Sequence, residues 1–169
     1  MKRLRSQPPA AAPEGTQWFG GPVEWLSVSL SIQGDDVDSA HITAIFGAPP
    51  DHSQTKGAPL LRADGSVLRT PKSSRWSIGL NRKDTDEWDI EQACWVVLKR
   101  VPSDIEIWRS AAMKGAARLS IALSLESANQ GTALEPELLK FIGDRDIGLD
   151  IHIYAPTKIE SNTCLPDPS

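Results

Sequence analysis

The stretch "LSVSLSIQ", residues 26–33, decides the fold. Leu26, Val28, Leu30 and Ile32 alternate there with Ser27, Ser29, Ser31 and Gln33. A period of two sends successive side chains to opposite faces, so this is a β-strand with one apolar and one hydroxyl-rich face. Burying the four aliphatic side chains contributes roughly 1.5–3 kcal/mol each before conformational entropy is charged. That face must therefore lie on a core, while the serine face can meet water.

Outward from this strand the same alternation returns three times. "WSIGLN" (76–81) carries Trp76, Ile78 and Leu80 on one face. "ARLSIALSLE" (117–126) carries Ala117, Leu119, Ile121, Leu123 and Leu125. "IGLDIHIY" (147–154) sets Ile147, Leu149, Ile151 and Ile153 against Asp150, His152 and Tyr154. Helical spacing fills the intervals. From Asp89 to Val101 a stripe of Ile90, Cys94, Val97, Leu98 and Val101 is wide enough to cover a sheet. "SDIE" (103–106) has the form of a capping box, with Ser103 as N-cap and Glu106 reaching back. It opens a helix through Ile105 and Trp108 that Gly115 can end in a left-handed conformation. Pro136 suits the first turn of a helix carrying Leu138, Leu139 and Ile142. In the loop-rich stretch 49–73, "LLRADGSVLR" (60–69) places Asp64-Gly65 between apolar runs, the signal of a type I′ hairpin.

The predicted order is β-α-(hairpin)-β-α-α-β-α-β. Strands polar on one face fit an antiparallel or mixed sheet with helices on one side. The expectation is an α+β fold, a two-layer sandwich with a sheet of four to six strands and helices packed on one face. It spans residues 23–155 as a single domain. Residues 1–22, rich in Pro, Ala and Gly, form a disordered or loosely docked tail whose Trp18 and Phe19 either dock back on the domain, the favoured reading, or meet a partner. Residues 156–169 form a flexible tail.

Composition narrows the function. The chain has 169 residues, enough to bury a core without disulfide or metal. Its net charge is −4 with signs interspersed, which argues against a nucleic-acid footprint. Nothing reaches the ~18 consecutive apolar residues of a membrane span, and "SQPPAAAPEG" interrupts where a signal peptide needs an apolar run. Two isolated cysteines, Cys94 and Cys164, fit a reducing compartment. The expectation is a soluble, cytoplasmic protein without nucleic-acid or membrane partners.

"GDDVDSAH" (34–41) is the densest cluster of possible metal ligands. As a calcium loop begun at Asp36 it fails, with Ala40 fifth, His41 sixth and Gly47 twelfth. As a zinc site it lacks paired His or Cys spacing. It reads instead as a helix start, with Asp38 as the cap, Ile42, Ile45 and Phe46 as the buried stripe, and Gly47 as the stop. No metal site and no cofactor are expected. Neither a G-x-S-x-G elbow nor a Gly-rich phosphate loop is present.

What remains is a surface. If the strands share one sheet, its outward face displays Ser29, Arg118, Ser120, Asp150, His152 and Tyr154 among other polar residues. These are the candidate ligand- or partner-binding residues, and no catalytic residue is assigned. Such a face also follows from solvation alone, since an antiparallel sheet with one wet side needs polar residues there. Two functions are carried forward. One is a non-enzymatic binding or protein-interaction module using this face or the 49–73 loops. The other is a small hydrolase-type enzyme using His152 with Asp150 and Tyr154 beside a pocket.

Residues 24–155 resemble a bacterial family catalogued as domain of unknown function 4279. The resemblance rests on "DDVDSAHITAIFGAPP", "KG" at 56–57, "SSRW" at 73–76, "PELLKFIGD" and the last strand "LDIHIY", in that order. It implies an α+β fold and carries no activity, cofactor or catalytic residues. His152 stands where similar proteins often carry an acid, which weighs against a carboxylate function on the outer face. An immunity role against toxins enters only as a fold-level analogy.

Overall fold

The serine-alternating stretch occupies the middle of the sheet. In the computed structural model, which describes residues 23–85, 89–112, 115–125 and 133–154, it belongs to strand β1 (Val23–Gly34). β1 pairs antiparallel with β5 (Ser74–Thr85) on one side and β6 (Ala116–Leu125) on the other. A short strand, β2 (His52–Gln54), adds antiparallel to the far side of β5. β7 (Gly148–Tyr154) pairs parallel with β6, giving the order β2-β5-β1-β6-β7. β3 (Leu60–Leu61) and β4 (Val67–Arg69) form a separate two-stranded hairpin. The sheet is mixed, and the fold is α+β in two layers as the alternation predicts.

Four helices cover the apolar face: α1 (Ser39–Phe46), α2 (Ile90–Leu98), α3 (Ile105–Ala112) and α4 (Pro136–Gly143). One continuous core joins Leu26, Val28, Leu30 and Ile32 of β1 to Ile42, Val97, Trp108 and Leu138 of the helices. Phe46 wedges between two indoles, its ring 5.3 Å from Trp76 and 4.8 Å from Trp108. Both indole N–H groups are satisfied, Trp76 donating to Thr43 Oγ1 at 3.2 Å and Trp108 to the Pro102 carbonyl at 2.7 Å. Buried tryptophan needs such a partner.

"GDDVDSAH" is punctuation. Asp38 Oδ1 accepts the Ala40 N–H at 2.9 Å, capping α1. Gly47 ends the helix at φ 67°, donating its N–H to the Thr43 carbonyl. Asp35 accepts from Lys56 Nζ at 2.7 Å.

Several local expectations need correction. α3 is capped by Asp104, whose side chain accepts the Glu106 N–H, rather than by Ser103; Glu106 pairs with Arg109 instead of reaching back. Gly115 does not adopt a left-handed conformation. It is there for clearance: a Cβ would lie 2.5 Å from Val37 Cγ2 and 2.7 Å from the Gln33 carbonyl oxygen. The 60–69 hairpin forms, but only Gly65 has positive φ, whereas a type I′ turn needs two such residues. Arg62 accepts the Gly65 N–H and donates to Ser66 O, a three-residue loop closed by glycine. On α4, Leu138 and Ile142 are buried one turn apart, while Leu139 falls on the next face and is 45% exposed.

β7 differs most from its pattern. Ile147 is buried and Leu149 packs on the core, but Ile151 and Ile153 are 48% and 63% exposed. Their alternation is that of a covered strand, yet β7 is the edge strand of the sheet and only its first half, at Leu149, packs on the core. The expectations for residues 1–22 and 156–169, including Trp18, Phe19 and Cys164, lie outside the described residues. No described helix is long and apolar enough to cross a membrane.

Candidate functional site

The antiparallel register turns scattered polar residues into rows across the outer face. Ser29 lies opposite Ser120, which lies opposite Asp150. One row along, Ser31 meets Arg118; on the other side, Ser27 meets Ala122, which meets His152. The next row runs Trp25, Ser124, Tyr154, and the two rings approach to 5.2 Å across the serine. Ser124, between them in the register, is only 3% exposed. All six candidate residues from the sequence share this face.

Their mutual contacts are selective. Arg118 Nη1 donates to Asp150 Oδ1 at 2.9 Å, so the carboxylate beside His152 is engaged by a guanidinium rather than by the imidazole. Asp150, His152 and Tyr154 alternate along an edge strand, and His152 is exposed. The pairing of acid and imidazole that a hydrolytic triad requires is not made.

The concave part of the face lies at the opposite edge. A groove of about 680 Å³ opens between the β1–β5 surface and the segment carrying β2 and the hairpin. Ser27, Ser29 and Ser77 line its sheet side; His52, Arg69 and Arg75 approach from the strand ends and the hairpin. Gly79 sits opposite Ser29 in the register, leaving the floor without a side chain at that point. The volume falls within the range of small-molecule sites.

Three residues, Asp51, Gln54 and Ser77, fix the groove's walls through polar contacts. Asp51 takes both terminal nitrogens of Arg100 and also accepts the Gly79 N–H. The Arg100 bonds, then the Gly79 N–H, hold its carboxyl down to about 2. Gln54 donates to the Ser73 carbonyl at 3.1 Å and accepts from Arg69 Nη2 at 2.8 Å. Ser77 Oγ donates to the His52 carbonyl at 3.1 Å, fastening β2 to β5. Arg75, paired in register with Gln54, has a buried Nε without a partner.

Of the sequence candidates only Ser29 reaches this groove. His52, Arg69 and Arg75 were not singled out, because each stands in a different stretch and β2 is too short to show a period. The one available signal was the 49–73 loop region, which supplies the groove's second wall.

The core thiol offers no nucleophile. Cys94 is fully buried, and burial, followed by the negative charges of Glu91 and Asp89, pushes its thiol up to about 12. Among the described residues no three His, Cys, Asp or Glu side chains are grouped to hold a metal ion.

The family described as Domain of unknown function (DUF4279) matches the chain over residues 24–156. No curated protein and no solved structure matches it.

Proposed function

Because the chain belongs to the DUF4279 family, whose description assigns no activity, we propose its function from the surface itself: a non-enzymatic binding module that receives a protein partner on the polar face of the sheet. The observation that carries this reading is the lopsided cover of the sheet. All four described helices contribute to the core on one face. The other face presents rows of small hydroxyl residues flanked by an aromatic pair at one edge and a groove at the other. Serines between larger polar groups leave room for a partner's side chains, and aromatic residues at a rim are common anchors. A net charge of −4 favours protein over nucleic acid as that partner.

The experiment compares wild type with the double variant Ser29→Arg, Ser120→Arg, which raises two charges from the middle of the face. Both tagged proteins are used to capture partners from extracts of the source organism, after matching thermal melts confirm folding. A stoichiometric partner held by wild type and lost by the variant supports the reading. No partner under varied growth conditions, or one held equally by both, defeats it. A toxin encoded beside the gene would give this partner role the form of immunity.

A further inference from the structure

We propose that the groove between the outer face of β1–β5 and the β3–β4 hairpin is an oxyanion site, taking a carboxylate or phosphate group of a ligand on Arg75 and Arg69. The inference deepens the binding reading, since it names a ligand chemistry for one part of the same face.

The groove's charge is unbalanced in a specific way. The carboxylate of Asp51 lines it, but both oxygens are committed, Oδ1 to Arg100 Nη2 and Oδ2 to Arg100 Nη1 and the Gly79 N–H. That negative charge is neutralised by an arginine from the end of α2 that does not line the groove. Arg69 spends one nitrogen on the neutral amide oxygen of Gln54. Arg75 has no acceptor among the described residues, and its Nε is buried without a partner. The two guanidinium groups flank Gln54, which is bonded to one and paired in register with the other. With no acceptor of its own, the Arg75 guanidinium can offer its terminal nitrogens to a ligand, and carboxylate and phosphate are the groups whose geometry matches such donors. Further along the groove, Ser29 and Ser27, opposite Gly79 and Asn81, offer hydroxyl donors to the rest of a ligand. At about 680 Å³ the groove exceeds an inorganic anion, so the oxyanion is the head of a larger molecule.

The test titrates the full chain at constant ionic strength with inorganic phosphate, phenyl phosphate and benzoate, followed by calorimetry and thermal melts. Saturable binding of at least one probe is expected, and whether phenyl phosphate or benzoate binds more tightly identifies the source of the oxyanion. Arg75→Lys and Arg69→Gln should each weaken that binding by about tenfold or more. Arg62→Gln, which removes a hairpin charge outside the groove, should leave it within about twofold. Absence of saturable binding by all three probes overturns the proposal, as does an equal loss in Arg62→Gln, which would mean general charge attraction. Arg69 is exposed, so its variant remains informative if Arg75→Lys fails to fold. Should the anions fail while partner capture still depends on Ser29 and Ser120, the oxyanion site falls and the binding reading stands.

Discussion

Asp51 and Arg100 meet in a two-pronged ion pair, with nitrogen–oxygen distances of 2.7 and 2.8 Å, that ties the residue before β2 to the residues after α2. A three-residue edge strand has few ladder bonds of its own, so this pair fastens one wall of the groove. Arg100→Met is expected to cost about 1 kcal/mol, the scale of a well-aligned but solvent-screened pair. Urea denaturation of wild type and variant checks it, and amide exchange should quicken first in residues 51–54.

The same carboxyl sets a pH dependence. Its folded value of about 2 lies below its ordinary 3.8, so the unfolded chain binds the proton more readily. The stabilisation it provides is complete above about pH 4 and is lost as pH falls through about 2. Because the side chain is 39% exposed, the amount lost is about 1 kcal/mol once screening is allowed for. Denaturation curves between pH 5 and pH 2 should show a smaller acid loss in Asp51→Asn than in wild type.

Gly115→Ala is expected to destabilise the domain by about 1–3 kcal/mol, the usual range for forcing extra volume into a packed site. The added carbon would press on Val37 and on the backbone carbonyl of Gln33, and backbone does not swing aside. A thermal melt unchanged from wild type would remove clearance as the reason for glycine there.

Asp38→Ala should lower stability by about 1 kcal/mol through loss of the α1 cap. Calcium or zinc added to wild type should leave its melting temperature unchanged. A metal-dependent rise that Asp38→Ala abolishes would restore a ligand role to this stretch.

Cys94 should resist iodoacetamide at neutral pH in the folded protein and react once denaturant is added, as peptide mapping by mass spectrometry can show. Its burial and raised titration leave almost no thiolate to attack. Rapid modification of the native protein at this position would mean that α2 opens readily.

How far these features were legible depends on how many residues each needed. β1 could be read alone, because Leu26, Val28, Leu30 and Ile32 each face the same core and every residue between them is polar. α1 could be read from Asp38 and Gly47, whose roles are local. The Ser103 cap was misplaced by one because Asp104 competes for the same role with a side chain equally able to accept. Gly115 was misread because its constraint comes from Val37 and Gln33, distant in sequence and adjacent only in the fold. The groove was hidden for the same reason: Arg75 and Arg69 flank Gln54 only after β2 has paired with β5. The resembling segments do meet in space. Asp35 pairs with Lys56, while Ser73 and Ser74 accept bonds from Gln33, Gln54 and Lys56 around one corner of the sheet.

The central position of β1 governs the order in which the chain can assemble. Ser29 meets Gly79 on one side and Ser120 on the other, so neither seam closes through a tight turn. During synthesis β1 lacks its partner on one side until β5 emerges, and its partner on the other until β6 follows. Folding dominated by such distant pairings is slow, on the order of milliseconds to seconds. In that interval β1 must avoid strangers with its own backbone, and the serines along one side keep the waiting strand wet.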